Sequence, residues 1–312
     1  MVIASRRSRR SNLLTLALVL LVACAPESPP ERQDPVVVYA DFEDDSYLAD
    51  IFDRYKEETG VLVIVRRGPA DRIVADLINN TISPPADVLM TNSVVHAWSA
   101  AEEGALRPLL SEVLRERVPE WARDADDLWF GTDSHGAVVV HNTPAVDVSG
   151  IEDFAALADK RFEGSLCLSS SGLAVNRMII AMMISELGGR PTELIVRDWM
   201  KNLAVPPFET EARLIDALEA GTCGVAIVSS GVADDSGMSV HVPATTYADV
   251  ATIGVARHAR NPDGAAALAE WLAFEIEGMP IKNDQHVSQA HVSLFAWNYE
   301  DAVRLAERAR YR

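Results

Sequence analysis

Val36-Val37-Val38-Tyr39-Ala40 is an unbroken apolar run, followed by the acidic stretch Asp41-Phe42-Glu43-Asp44-Asp45 and then by Leu48, Ile51, Phe52 and Tyr55 at helical spacing. A short apolar run, a turn and a 3.6-period stripe read as strand, loop and helix, with the helix over residues 47–58. Ser46 stands in the N-cap position, and Thr59-Gly60 supplies the stop. The pattern then repeats. Residues 61–65 predict a second strand and 71–80 a second helix. Ala86-Asp87-Val88-Leu89-Met90 predicts a third strand, and the helix after it runs through Trp98 and Glu103. Strands that are apolar throughout are covered on both faces, so this alternation predicts an α/β fold with parallel-dominated sheets flanked by helices.

In such sheets ligands bind beyond the carboxyl ends of the strands. That rule selects four loops. The first holds Glu43 and Asp44 among its four carboxylates, and the second begins Thr91-Asn92-Ser93. The third is Ser169-Ser170-Ser171-Gly172, opening a helix that contains Asn176; the fourth is Ser229-Ser230-Gly231. Carboxylates attract a cation, whereas hydroxyls and free N–H groups at a helix start can hold an oxyanion. Each loop also has a structural reading. Acids at a helix N-terminus complement its dipole, and serines cap helices.

The chain begins with Arg6, Arg7, Arg9 and Arg10, an apolar run over residues 13–22, and Leu21-Val22-Ala23-Cys24. A basic patch before a short apolar segment reads as an export signal over residues 1–23, too short to span a bilayer. Cys24 at its end resembles the lipobox cysteine of bacterial lipoproteins, which implies lipidation there and a membrane-anchored protein of the periplasm or cell envelope. Ala25 is not the aspartate that commonly retains lipoproteins at an inner membrane. Residues 24–34 are proline- and charge-rich and read as a tether. The remaining residues, 35–312, are enough for two lobes.

Formal net charge is −18, and loss of a leader with four arginines and no acid takes it to −22. A surface this acidic disfavours nucleic acid as a partner. Beyond Cys24 only Cys167 and Cys223 remain. Two cysteines in an oxidising compartment pair more often than not; the alternative is two buried thiols. No Gly-x-Ser-x-Gly elbow and no His-Glu-x-x-His occurs, and the seven histidines show no metal-site spacing, so the residues do not point to an enzyme.

Taken in order, Val36 to Tyr39, Glu58-Thr59-Gly60, Ala86 to Thr91, Cys167 to Ser171 and Ala220 to Ile227 resemble the periplasmic ferric-iron-binding proteins of ABC importers, in particular the branch with a paired-cysteine lobe. Gly254 to Ala259, Asn261-Pro262 and Glu300 to Leu305 continue the colinear match. The resemblance implies a class II two-lobed binding protein with a two-strand hinge and a cleft that closes on its ligand. Lobe 1 is expected over 35–138 and 244–290 and lobe 2 over 139–243, with a C-terminal helix in 291–312 packing back on lobe 2. Residues 138–142 and 240–243 are the candidate crossing strands. The implied partners are an ABC permease and a small ligand captured by a monomer.

The departures fall on the ligands. That family holds iron through phenolates, above all a tandem tyrosine pair at the position of Ser229-Ser230-Gly231-Val232. A further family tyrosine follows the serine run, where this chain has Gly172 to Asn176. The first-loop His or Tyr is replaced by Glu43 or Asp44, and Tyr47 alone stands near a selected loop. The far-lobe replacements are neutral, so charge is expected on one side only. The cargo is therefore expected to be something other than bare Fe3+ held by tyrosinates, with Glu43 and Asp44 the metal donors if a metal binds. Fe3+ in an altered carboxylate site, an iron chelate, and a sensor that keeps the fold without transport are the alternatives.

Overall fold

The computed structural model describes residues 34–42, 45–142, 146–275 and 291–312, with backbone only for 45–47 and 275. The leader, Cys24, the tether up to residue 33, and Glu43 and Asp44 lie outside the described residues. Residues 34–312 form one compact unit. No helix among the described residues is long and apolar enough to cross a membrane.

The chain opens with β1 (Val36–Ala40), α1 (Asp45–Thr59), β2 (Val63–Arg67), α2 (Ala70–Ile78), β3 (Val88–Thr91) and α3 (Val94–Glu102). The predicted alternation is present, with ends moved by two residues or so. There follow β4 (Leu106–Arg107), α4 (Glu112–Arg117) and the long β5 (Phe130–His141). Next are β6 (Leu166–Cys167), α5 (Ala174–Leu187), α6 (Gly189–Asn202), α7 (Glu211–Glu219), β7 (Val225–Ser229) and α8 (Ser230–Ser236). The last elements are β8 (Ser239–His241), β9 (Ala248–Ala256), α9 (Pro262–Glu275) and α10 (Ser293–Ala309).

The strands run in the order β2-β1-β3-β9-β5-β7-β6, with β4 added beside β9 and β8 beside β5. Pairing is parallel where strand and helix alternate, at β2-β1-β3 and at β6-β7. It is antiparallel around β9 and β5. Strand β5 serves both halves of the sheet. Its residues up to Gly136 pair with β9, and from Ala137 onward they pair with β7 and β8. A bulge between Gly131 and Asp133 shifts its register, which sharpens the local bend. The chain returns from β8 into β9, where Ala137 N–H donates to the Tyr247 carbonyl. Helix α10 packs against α5, α6 and α3.

Apolar residues of β1, β3, β5, β7 and β9 fill the core with α1, α3, α5, α9 and α10 around them. Asp87 is one of the buried charged residues. Its carboxylate accepts from Val37 N–H at 2.9 Å and from the N–H groups of Arg260 and Asn261 at 2.8 Å each. One side chain thus ties β1, the entry to β3 and the turn into α9. Cys167 and Cys223 are disulfide-bonded, with 5.9 Å between their Cα atoms. The bond joins β6 to the turn before β7 and lies in a smaller core with Val138, Leu214 and Val228.

Candidate ligand-binding site

A cavity of about 330 Å³ opens where β5 changes partners. Its walls come from both halves of the sheet. Asn92 follows β3, His135 and Gly136 belong to β5, and Asp249 belongs to β9. The other wall is Leu173, Ala174, Val175 and Met178 at the start of α5, Glu211 at the start of α7, and Ser229 with Gly231 where β7 runs into α8. Strand ends and helix starts meet here, as the rule for open α/β sheets requires. Polar groups converge over an apolar floor, the usual make-up of a small-molecule site.

The polar groups are held by the fold. Asn92 donates its backbone N–H to Asp41 Oδ1 at 2.7 Å, and its side-chain Oδ1 lies 3.1 Å from His135 Nε2. His135 is the cross-strand neighbour of Asp249. Asp249 is almost fully buried, and its Oδ1 accepts from Val94 N–H at 3.0 Å and from Val250 N–H at 2.8 Å. Burial pushes its carboxyl above the ordinary aspartate range, against the hydrogen bonds from Ser93, Val94 and Val250 and the nearby His135, which favour the anion. Burial likewise raises Asp41, opposed by the Asn92 N–H.

On the other wall Glu211 grips Ser229 with both oxygens. Oε1 accepts from Ser229 N–H at 2.6 Å and Oε2 from Ser229 Oγ at 2.9 Å. The expectation of a neutral far wall is therefore corrected. A carboxylate reaches it from α7, the helix that precedes β7 and Ser229.

Of the residues selected from sequence, Asn92 and Ser229 line the cavity. Ser230 stands beside it, its Oγ accepting from Gly136 N–H at 3.2 Å. Ser169, Ser170, Ser171 and Asn176 are absent from its described lining. Ser169 is buried, and its Oγ accepts from Asn176 Nδ2 at 2.8 Å. Ser170 Oγ accepts from Gly172 N–H, and Ser171 Oγ donates to the Tyr311 carbonyl at 3.0 Å. These hydroxyls shape the turn before α5 and fasten the C-terminus.

The tyrosines whose side chains are described are likewise engaged elsewhere. Tyr39 donates to the Pro84 carbonyl, Tyr247 to Glu186 Oε2 and Tyr311 to the Ser169 carbonyl. Tyr55 packs edge-on against Trp271, and Tyr299 meets Arg177. Among the described residues no group of three or more His, Cys, Asp or Glu side chains could hold a metal ion.

The profile of the bacterial extracellular solute-binding proteins matches residues 39–277. The chain belongs to that family. Among curated relatives of this solute-binding protein, iron uptake protein A1 of Synechocystis is 26% identical over 283 residues, covering 82% of this chain and 77% of the relative. The Fe(3+)-binding periplasmic protein of Serratia marcescens is 23% identical over 230 residues, covering 73% of this chain and 64% of that protein. Among solved structures, the Trichodesmium IdiA/FutA protein in complex with iron and citrate ligands aligns with a TM-score of 0.78 at 24% identity, over 89% of this chain and all of that one. The ferric binding protein of Campylobacter jejuni gives 0.75 at 21% identity, again over 89% of this chain and all of its own. The solute-binding protein has the two-lobed binding-protein fold of these structures.

Proposed function

We propose that the protein is the extracytoplasmic substrate-binding component of an ABC importer, anchored by a lipid on Cys24. It captures a small ligand in the cavity at the sheet junction and delivers it to a permease. The observation that carries this reading is that one cavity takes polar groups from both halves of the sheet: Asn92, His135 and Asp249 line it together with Glu211 and Ser229. A ligand that touches both walls favours closure, because it gains contacts only when they approach. Lobe boundaries near 138 and 244 are part of this proposal, supported by the partner change in β5 and the return into β9.

The cargo is something other than bare ferric ion held by phenolates; this reading is supported by the described lining of the cavity, which contains no tyrosine. The names of the relatives favour a second reading, iron presented as a chelate. A hard cation already wrapped by an oxygen-rich chelator needs hydrogen-bonding partners more than protein donors of its own.

Thermal unfolding of the metal-free mature chain tests this proposal. The panel is ferric iron, ferric citrate, citrate, small amines and amino acids. Binding to the folded state stabilises it by about 2.7 kcal/mol at a hundred times the dissociation constant. A shift with an organic or chelated ligand and none with ferric ion alone is the expected result. A shift with ferric ion alone would reject it.

A further inference from the structure

Glu211 gives the cavity a feature that the solute-capture reading leaves open, namely the charge of its ligand. We infer that the site selects a positively charged amine, and that Glu211 is the residue that makes the selection. This rests on the capture reading above and narrows it to a ligand class.

Without the Glu211 side chain this wall of the cavity would be a donor surface. Ser229 would turn a backbone N–H and a hydroxyl toward the site, two donors suited to an anion. Glu211 takes both, on separate oxygens, and leaves its carboxylate as the charged group on that wall. The opposite wall carries Asp249, buried but contributing to the lining, with Asn92 beside it. None of the described lining residues is Lys or Arg. An anion without an amine would meet carboxylates at Glu211 and Asp249 and find the Ser229 donors already used.

An ammonium group meets the reverse situation. It can donate to Glu211, Asp249 and the Asn92 amide oxygen, while its carbon chain lies over Leu173, Val175 and Met178. The start of α5 opens on the same cavity, so an amine that also bears a carboxylate is accommodated. Simple amines and zwitterions share the recognised group, and the test separates them.

Calorimetric titration of the mature chain with 1,4-diaminobutane, arginine and glycine forms the cationic and zwitterionic arm; citrate and ferric citrate form the anionic arm. The inference predicts binding in the first arm and none in the second. Glu211→Gln, which keeps an acceptor for Ser229, should weaken the amine that binds best by at least about tenfold. Asp249→Asn should weaken it in the same direction while leaving the far-ultraviolet circular dichroism unchanged. Binding of citrate or ferric citrate with no response to any amine would overturn the inference and leave solute capture standing. Silence in both arms would overturn both. An amine affinity that Glu211→Gln leaves unchanged would remove Glu211 from its role.

Discussion

Asp87→Ala should be among the most damaging single changes to the fold, lowering stability by about 3 kcal/mol or more. Its carboxylate serves three backbone N–H groups, those of Val37, Arg260 and Asn261. Its own N–H and carbonyl pair with Val37 and Ala256. A hydrogen bond to a charged acceptor contributes about 1.5–3 kcal/mol, and a buried donor left without an acceptor costs about 1–3 kcal/mol. Asp87→Asn keeps one acceptor oxygen and should fall between Ala and wild type. Urea unfolding checks the order. Equal stability for wild type and Asp87→Ala would show that water or a shifted backbone satisfies these donors.

Loss of the Cys167–Cys223 bond ranks next. The bond separates its partners by 56 residues in sequence, and closing a loop of that length stabilises by roughly 4 kcal/mol in the chain-entropy model. Cys167→Ser with Cys223→Ser should therefore lower stability by about 2–4 kcal/mol. The pair lies in the smaller core, with Leu214 and Val228, and neither cysteine is among the described residues lining the cavity. Ligand affinity should change far less than melting temperature. A double variant as stable as wild type under oxidising conditions would mean that the bond contributes nothing.

The outer parts of the sheet were legible because their strands are apolar on both faces. Val36 to Ala40 and Val88 to Met90 could only be buried, and the helices between them carry a clear stripe. Strand β5 was less so. Gly131-Thr132-Asp133-Ser134-His135-Gly136 has no apolar run to mark a strand, yet it runs through the middle of the sheet. His135 and Gly136 line the cavity instead of filling a core, which is where local sequence rules are expected to fail.

The candidate site was legible in part for the same reason. The carboxyl-end rule reaches Asn92 and Ser229, which line the cavity. It also selects Ser169, Ser170, Ser171 and Asn176, whose polarity serves a turn and the C-terminus. Glu211 carried no distinguishing signal, since an acid after Thr210 at a helix start is common for electrostatic reasons alone. Asp249 did carry one. An ionisable residue in Ala248-Asp249-Val250-Ala251, a strand buried along its whole length, calls for a reason. Glu43 and Asp44 remain readings from sequence, outside the described residues.

The most direct test of a cleft that works without phenolates is a ferric titration of the metal-free mature chain followed by visible absorption. Phenolate bound to ferric iron gives a charge-transfer band that carboxylate and imidazole do not. The predicted result is no such band at any iron concentration. A band that appears with one equivalent of iron and is lost in Tyr47→Phe would contradict the account and return the protein to tyrosinate iron binding.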